Sequence, residues 1–464
     1  ADLNPRWHDR PFSTISTDSR SIGPGECFLA LRGENFDGHR FCSKAIESGA
    51  DALIVDSRFD LDSIVADRPI FVVEDTLRAY GDLAAARRRQ WGGPLLAISG
   101  SAGKTTTRRM VVAALGRHNR ILEPLRNYNN LIGVPHTLMR LDPSHQIAVL
   151  ELGMNQPGEL ARLTEIARPD AALMTMIGMT HIGMFASQAE LTNAKLDLFR
   201  GCAEGTPLAI NARCENTMAA IGAFRPRHPI VSFDGAFDRT GNPVEADVSV
   251  NCIEPLSPVG YRFDLIVRNR RYSGLQMPLF GRAQSQNVSA AAALMLAAGF
   301  DPESIGDDLA ASLMGFASES LRGECVRCDG IEMILDCYNA SPAGMLGALA
   351  SLTDVKTEGR RILVLADMLE LGDHAAAAHQ ALMGPLRTLA PAHFFGLGPH
   401  CSVLARALSA EGWPAQGFEK RENLTEALGS DLRPGDQVFF KGSHGFGLEH
   451  VAEALSPGLL SEKQ

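Results

Sequence analysis

The chain has 464 residues, of which 45% are apolar and 21% charged, and a formal net charge of −10. This composition excludes an intrinsically disordered chain, and the acidic balance argues against a nucleic-acid-binding surface. At about 150 residues per domain the length predicts three domains, and no apolar run reaches the roughly 18 residues of a membrane span.

Two features predict a cytoplasmic protein. The first residues, Ala1 to Arg6, are polar and lack the basic and apolar parts of a signal peptide. The nine cysteines are scattered without framework spacing, so we expect reduced thiols. The one C-x-x-C pair, Cys325 and Cys328, has no second pair or histidine at ligand spacing, which argues against a zinc site.

Residues 1–93 predict a small α/β domain, because short β-rich runs alternate with helical stretches. The predicted strands are Cys27–Leu31, Ala52–Val55 and Ile70–Val73. The run Trp91-Gly92-Gly93-Pro94 breaks the pattern and predicts a linker. The run Arg87-Arg88-Arg89, just before it, is typical of a solvated helix face.

Residues 94–318 predict a second domain that begins with a phosphate loop. The apolar strand Leu95–Ser99 leads into Gly100-Ser101-Ala102-Gly103-Lys104-Thr105-Thr106, and helical periodicity follows over Arg108–Leu115. Glycines let backbone N–H groups close around phosphate oxygens, Lys104 supplies a mobile cation, and the Thr105 hydroxyl can ligate Mg²⁺. The alternative is a glycine turn that happens to precede Lys-Thr, which the flanking strand and helix disfavour.

Two further runs in this segment, Ile147–Leu152 and Ala171–Ile177, predict strands buried on both faces of a parallel sheet. Glu151 lies at the end of the first run, and His181 follows the second. Because ligands bind at the carboxyl ends of strands in such sheets, we expect these two side chains to converge with the phosphate loop.

Residues 319–464 predict a Rossmann-like domain that faces the second one. The predicted strands are Met333–Leu335, Ile362–Ala366, Phe394–Leu397 and Val438–Phe440. Asp336, Asp367 and Lys441 directly follow three of these strands, which places polar groups at a second carboxyl edge.

Motifs from all three segments resemble those of one family, in the same order. They are Ser16-Thr17-Asp18-Ser19-Arg20, Asp37-Gly38-His39-Arg40-Phe41, the phosphate loop, Asn127 to Pro135, Glu151 to Glu159, Asp336 to Pro342, Asp367 to Gly372 and Lys441 to His444. Over essentially its full length the chain resembles the Mur ligases, ATP-dependent amide-bond-forming enzymes of bacterial peptidoglycan synthesis. The Tyr-Asn-Ala-x-Pro and Asp-Met-Leu-Glu-Leu-Gly elements favour the MurF type.

The resemblance implies an α/β protein of three domains. These are a small N-terminal α/β domain for the UDP-muramoyl substrate, a central P-loop ATPase domain with a mostly parallel sheet, and a C-terminal Rossmann-like domain for the incoming dipeptide. The implied reaction joins D-alanyl-D-alanine to UDP-N-acetylmuramoyl-tripeptide through an acyl phosphate, with ATP and two Mg²⁺ sites. The family also implies a monomer.

The same resemblance implies roles for individual residues. Lys104, Glu151, His181 and Lys195 would be catalytic, with Thr105, Glu151 and His181 holding Mg²⁺. Lys195 matches a lysine that the family carbamylates with CO₂, which turns a cation into an anionic oxygen ligand; a solvent-facing helix lysine is the alternative. ATP would contact the phosphate loop, Asn287, Arg322 and Asp336. Ser19, Arg20, Asp37, Gly38 and His39 would hold the UDP end, and Asn129, Asn130, Asn339 and Asp367 the peptide and dipeptide.

Several positions depart from the usual family pattern. They are Ala102, Met176, Ala283, Leu196 and Asp197 after Lys195, Leu335, Cys337 and His444. None of these changes removes a primary phosphate or metal group, so we expect ATP use. Two alternatives stay open, namely a Mur-type ligase with a different amino acid or peptide acceptor, and a nucleotide-binding scaffold without catalysis.

Overall fold

The computed structural model describes residues 11–33, 36–64, 68–224, 227–235, 244–256 and 259–456. The polar start of the chain, on which the absence of a signal peptide was predicted, lies outside these residues. Three sheets follow one another along the chain, with four, nine and six strands. No helix in the described part of the chain is long and apolar enough to cross a membrane.

The first sheet has four parallel strands in chain order. They are β1 (Thr14–Ser16), β2 (Glu26–Leu29), β3 (Ala52–Asp56) and β4 (Ile70–Val73). Helices α1 (Cys42–Glu47) and α2 (Thr76–Trp91) accompany them, with 3₁₀ turns at Gly38–Phe41 and Leu61–Ser63. Gly92, with a φ of 70°, ends α2 in a left-handed cap, as the predicted linker requires.

The second sheet has nine strands in the order β13-β12-β11-β10-β9-β8-β5-β7-β6, and only the pairs β11–β12 and β12–β13 are antiparallel. The strands are β5 (Leu95–Ser99), β6 (Ile121–Leu122), β7 (Ile147–Glu151), β8 (Ala171–Met174), β9 (Leu208–Asn211), β10 (Ile230–Asp234), β11 (Val248–Pro255), β12 (Tyr261–Val267) and β13 (Arg270–Met277). The helices are α3 (Lys104–Leu115), α4 (Gly133–Met139), α5 (Glu159–Ala167), α6 (Gln188–Lys195), α7 (Asp197–Arg200), α8 (Glu215–Phe224), α9 (Ala283–Ala297) and α10 (Pro302–Leu313), with a 3₁₀ turn at Ile182–Met184.

The third sheet has six strands in the order β14-β15-β19-β16-β17-β18, and only the pair β14–β15 is antiparallel. The strands are β14 (Glu324–Cys328), β15 (Ile331–Asp336), β16 (Arg361–Ala366), β17 (His393–Leu397), β18 (Ala415–Phe418) and β19 (Gln437–Lys441). The helices are α11 (Pro342–Leu352), α12 (Ala375–Gln380), α13 (Met383–Leu389), α14 (Pro399–Ala410), α15 (Arg421–Asp431) and α16 (Leu448–Leu455), with 3₁₀ turns at Gly372–His374 and His444–Phe446.

The second sheet is covered on both faces, as its apolar strands predict. Leu95 and Ala97 of β5 belong to one buried cluster, whereas the alternate residues Leu96 and Ile98 belong to another. Successive side chains of a strand point to opposite faces, so both faces of β5 lie in apolar surroundings. This packing confirms the predicted α/β architecture with a mostly parallel central sheet.

Two sequence predictions need correction. The strand predicted at Ala171–Ile177 ends at Met174, because the chain then bends over the phosphate loop and Met176 O accepts a hydrogen bond from Ser101 N at 2.9 Å. The arginine run on α2 is only in part a solvated face, since Arg89 is exposed whereas its two neighbours make contacts. Arg88 is buried and donates to Asp170, just before β8, at 2.7 Å. Arg87 donates to the backbone oxygen of Leu141, just after α4, at 3.0 Å, so both arginines tie α2 to loops of the second segment.

Candidate active site

The phosphate loop joins β5 to α3 at the carboxyl edge of the second sheet. Gly100 and Gly103 adopt φ values of 142° and 85°, which residues with a side chain rarely reach. A Cβ on Gly100 would collide with Thr175, and one on Gly103 with the amide of Asn287. Both glycines are therefore required by the loop, and α3 begins directly after it at Lys104.

Lys104 lies in the first turn of α3 with its ammonium folded over the loop. Its Nζ donates a hydrogen bond of 2.7 Å to Gly100 O. Burial lowers the pKa of Lys104, while the nearby Glu151 carboxylate opposes that shift. The cation thus lies where phosphate oxygens would meet the helix N-terminus.

A buried carboxylate stands behind the loop. Glu151, 1% exposed at the end of β7, accepts hydrogen bonds from Thr105 Oγ1 at 3.0 Å and from Arg108 Nε at 2.8 Å. Arg108 also pairs with Glu123, so its charge is balanced on two sides. Because the hydroxyl hydrogen of Thr105 is given to Glu151, the lone pairs of that oxygen stay available to a cation.

Lys195 ends α6 and is only 2% exposed. It lines a cleft that the phosphate loop also lines. Burial, together with repulsion from Lys104, lowers its pKa to about 7. Within the described residues its Nζ has no hydrogen bond or ion pair. A lysine with a pKa of about 7 is neutral in a large fraction of molecules at neutral pH. The burial of Lys195 excludes the alternative of a solvent-facing helix lysine.

His181 sits in the loop after β8 with a φ of 67°. Its Nδ1 lies 2.5 Å from Oε2 of Glu370, which comes from the loop after β16 in the third sheet. This hydrogen bond lowers the pKa of the Glu370 carboxyl. His181, which belongs to the second segment, is therefore held by a residue of the third segment.

The third segment contributes the opposite wall of the cleft. The Arg322 guanidinium carbon lies 3.9 Å from the ring centroid of Tyr338, whose hydroxyl accepts a 2.5 Å hydrogen bond from Asn127 Nδ2. Lys441 Nζ donates to Asp336 Oδ2 at 2.7 Å. Two cations and one carboxylate of the third segment thus face the phosphate loop.

These groups enclose a cleft of about 570 Å³. Its walls include Gly100 to Thr105, Asn129, Asn130, His181, Lys195, Arg322, Asp336, Asn339 and Lys441. A smaller cavity of about 160 Å³ is lined by Gly103, Ala283, Gln284 and Asn287, and also by Arg322, Asp336 and Lys441. The structure therefore brings together most residues that the sequence predicted for ATP and peptide.

Two of the predicted peptide residues also have structural roles. Asn130 Oδ1 accepts hydrogen bonds from Ile132 N and Gly133 N at the start of α4. Asp367 lies apart from the cleft, where its buried carboxylate accepts hydrogen bonds from His400 N at 3.0 Å and Cys401 N at 2.7 Å. Because these bonds hold the start of α14, a dipeptide role for Asp367 stays a prediction.

The residues predicted for the UDP end gather at the carboxyl edge of the first sheet, away from the main cleft. Arg20 is exposed and pairs with Asp18 at 2.7 Å. His39 is buried, with Nδ1 2.7 Å from Asp37 Oδ1 and Nε2 accepting from Asp56 N at 3.0 Å. Ser19 is also buried, and Gly38 packs directly on the backbone of Leu31.

Four further residues at the site, namely Arg108, Tyr338, Glu370 and Lys441, were given no functional role from the sequence, although Lys441 was placed at the carboxyl edge of its strand. Tyr338, Glu370 and Lys441 lie inside motifs that carry the family resemblance, so a signal was present without a role. Arg108 follows Lys104 by four residues and Thr105 by three, the spacing that places side chains on one helix face. That spacing could have indicated it.

The chain matches one family along most of its length. Three family models fit the chain: "Mur ligase family, catalytic domain" at residues 11–88, "Mur ligase middle domain" at residues 98–295, and "Mur ligase, glutamate ligase domain" at residues 321–444. The chain belongs to the Mur ligase family, which confirms the resemblance.

Several proteins similar to this chain share one activity name. The UDP-N-acetylmuramoyl-tripeptide–D-alanyl-D-alanine ligase of Synechocystis sp. is 32% identical, with 96% of this chain and 92% of that protein covered. The Escherichia coli protein of the same name is 31% identical, with coverages of 96% and 94%. A crystal structure of MurF from Acinetobacter baumannii matches with a TM-score of 0.82 and 31% identity, over 95% of this chain and 92% of that one. MurF ligase from Thermotoga maritima shares the fold, with a TM-score of 0.81 at 21% identity and coverages of 98% and 99%.

Proposed function

We propose that this chain is an ATP-dependent ligase that joins D-alanyl-D-alanine to UDP-N-acetylmuramoyl-tripeptide in peptidoglycan synthesis. The observation that carries the proposal is the single cleft lined by the phosphate loop, Lys195 and three charged residues of the third segment. The activity name shared by relatives about 30% identical over the full length supports the choice of substrates. The MurF relative solved with ADP supports ATP as the nucleotide.

The first step is phosphoryl transfer. A carboxylate oxygen of the tripeptide forms a bond to the γ-phosphorus of ATP, and the bond from that phosphorus to the ADP oxygen breaks. Like charges must meet here, so cations and N–H dipoles are needed at this point. Lys104 and the loop amides supply them from one wall, while Arg322 and Lys441 supply them from the other.

The second step forms the amide. The amine of D-alanyl-D-alanine attacks the acyl carbon, the carbon–oxygen bond to phosphate breaks, and phosphate and one proton are released. An acyl phosphate divides one difficult substitution into two easier ones. Closure of the third segment over the cleft would keep water from this intermediate.

The donor set also fits Mg²⁺. Carboxylate and hydroxyl oxygens are the ligands that Mg²⁺ prefers, and Thr105 and Glu151 offer both at the helix start. We propose that these two residues, with His181 and a carbamate formed on the neutral amine of Lys195, serve two Mg²⁺ sites. The metal would supply charge neutralisation for the phosphates.

We further propose how the segments divide the work. Residues 1–93 would bind the UDP end through Ser19, Arg20 and the Asp37–His39 turn, residues 94–318 would bind ATP, and residues 319–464 would bind the dipeptide and close on ATP. Asn287 would contact the base side of the nucleotide, and Asn129, Asn130 and Asn339 the peptide. The family resemblance also supports a cytoplasmic monomer.

ADP release tests the proposal. The purified protein with Mg-ATP and UDP-N-acetylmuramoyl-tripeptide should release ADP only when D-alanyl-D-alanine is added. The variant Lys104→Ala should lower the rate by about 10²–10³, the cost of losing one preorganised charge. The exposed Lys356→Ala variant is the matched control and should keep the rate.

Other outcomes would decide between the two alternatives. Release that needs a single amino acid or another peptide would establish a ligase with a different acceptor, to which the changes at Ala283 and His444 would then contribute. No release with any acceptor would contradict the proposal and favour the nucleotide-binding scaffold.

A further inference from the structure

The loop after β8 and the loop after β16 meet at the edge of the cleft, although they belong to different sheets. Nδ1 of His181 lies 2.5 Å from Oε2 of Glu370. A second bond joins the same loops, because Gly183 N donates to Glu370 O at 3.0 Å. Side chain and backbone of one glutamate thus both contact the histidine loop.

The backbone at this meeting point is unusual. His181 and Glu370 have φ values of 67° and 63°, left-handed conformations that a residue with a side chain adopts at a cost. A Cβ on Gly183 would lie 2.9 Å from Gly372 N, so the backbones of the two loops approach too closely for a side chain at Gly183. Such conformations persist where surrounding contacts fix them, and they concentrate at functional sites.

The contact also determines which ring nitrogen of His181 carries hydrogen. A carboxylate can only accept, so Nδ1 carries the hydrogen and, in the neutral ring, Nε2 keeps its lone pair. A carboxylate on one ring nitrogen is the usual way in which a protein orients a histidine that binds through the other. His181 lines the cleft, whereas Glu370 reaches it from the C-terminal segment.

We propose that Glu370 is a positioning residue for His181, and that it gives the histidine its Nδ1-protonated tautomer only when the C-terminal segment is docked on the central one. The proposal rests on the proposed function through the role of His181. On this proposal, phosphoryl transfer depends on contact between the C-terminal and central segments, because Glu370 orients His181 only when the two segments are in contact.

The test combines a spectroscopic and a kinetic measurement on the full chain. Histidine labelled with ¹⁵N reports the tautomer of each ring, and the spectrum of His181→Asn identifies the signals of His181. In the metal-free wild-type protein we expect the Nδ1-protonated form. Glu370→Ala should lose it, and Glu370→Gln should keep it because the amide oxygen still accepts.

The kinetic effects should follow the spectra. Glu370→Ala should lower kcat about 10- to 100-fold, as loss of such outer partners does, with the KM for the UDP-tripeptide unchanged. Glu370→Gln should recover part of that loss. Asp373→Ala removes an exposed carboxylate three residues away on the same loop and should match the wild type in both measurements.

Two results would overturn the inference. One is an identical His181 spectrum in Glu370→Ala and wild type, and the other is an altered spectrum with an unchanged kcat. Failure of the proposed function looks different, since the wild type would then release no ADP while the His181 signals still depended on Glu370. Urea unfolding of each variant, together with the folded Glu370→Gln protein, separates these outcomes from loss of structure.

Discussion

Lys195 should take up CO₂ at neutral pH. Burial and the charge of Lys104 lower its pKa from 10.5 to about 7. At pH 7 about half of these side chains are neutral, against about one in 3,000 for a lysine at its ordinary pKa. Only the neutral amine attacks CO₂, and the new carbamate releases a proton. Because the pKa of Lys195 is lowered to about 7, the fraction of neutral, reactive amine increases as the pH rises through about 7.

Nuclear magnetic resonance with ¹³C-bicarbonate measures this directly. We expect one carbamate resonance, which Lys195→Met removes and the exposed-site control Lys356→Met keeps. Between pH 8 and pH 6 the neutral fraction falls about tenfold, so the resonance and the ligase activity should decline together. Removing CO₂ at pH 8 should lower activity, and bicarbonate should restore it. Full activity in CO₂-free buffer, with no carbamate resonance, would refute the reasoning.

Two further predictions concern the phosphate loop and the buried ion pair between Arg282 and Asp354. Gly103→Ala should weaken ATP binding about tenfold in calorimetry, because its Cβ collides with the Asn287 amide, whereas Gly205→Ala has the same φ of 85° in open space and should bind normally. Equal losses of affinity would contradict the collision argument. Arg282→Ala takes the arginine partner from a 2% exposed carboxylate at Asp354 and should lower the free energy of unfolding by about 3–5 kcal/mol in urea. Arg387→Ala, which breaks an exposed ion pair, should lower the free energy of unfolding by less than about 1 kcal/mol. A similar loss in both variants would contradict a special contribution of the buried ion pair.

Strands that are buried on both faces could be predicted because their sequences are almost continuously apolar. The run at Leu95–Ser99 matches β5 to the residue, and Ile70–Val73 matches β4. The antiparallel strand β13, Arg270–Met277, was not predicted, since most of its side chains are exposed or half-exposed and its sequence has no apolar run. The burial of Arg88 was missed for a similar reason, because charge alone suggests solvent.

The phosphate loop could be predicted as a site because its chemistry is local. A strand, two glycines, a lysine, a threonine and a helix follow one another within 21 residues, from Leu95 to Leu115. Topology then brings Glu151 and Thr105 together, since both lie at the carboxyl edge of neighbouring strands. For these residues the sequence, with the family resemblance, sufficed.

The contacts between segments were decided by the tertiary structure alone. Glu370 and His181 are 189 residues apart, and Tyr338 and Asn127 are 211 apart. Nothing in the local sequence selects one partner over another at such separations, because the choice depends on how the second and third sheets pack. The lowered pKa of Lys195 has the same origin, since a helical lysine loses its water only when the surrounding chain closes over it.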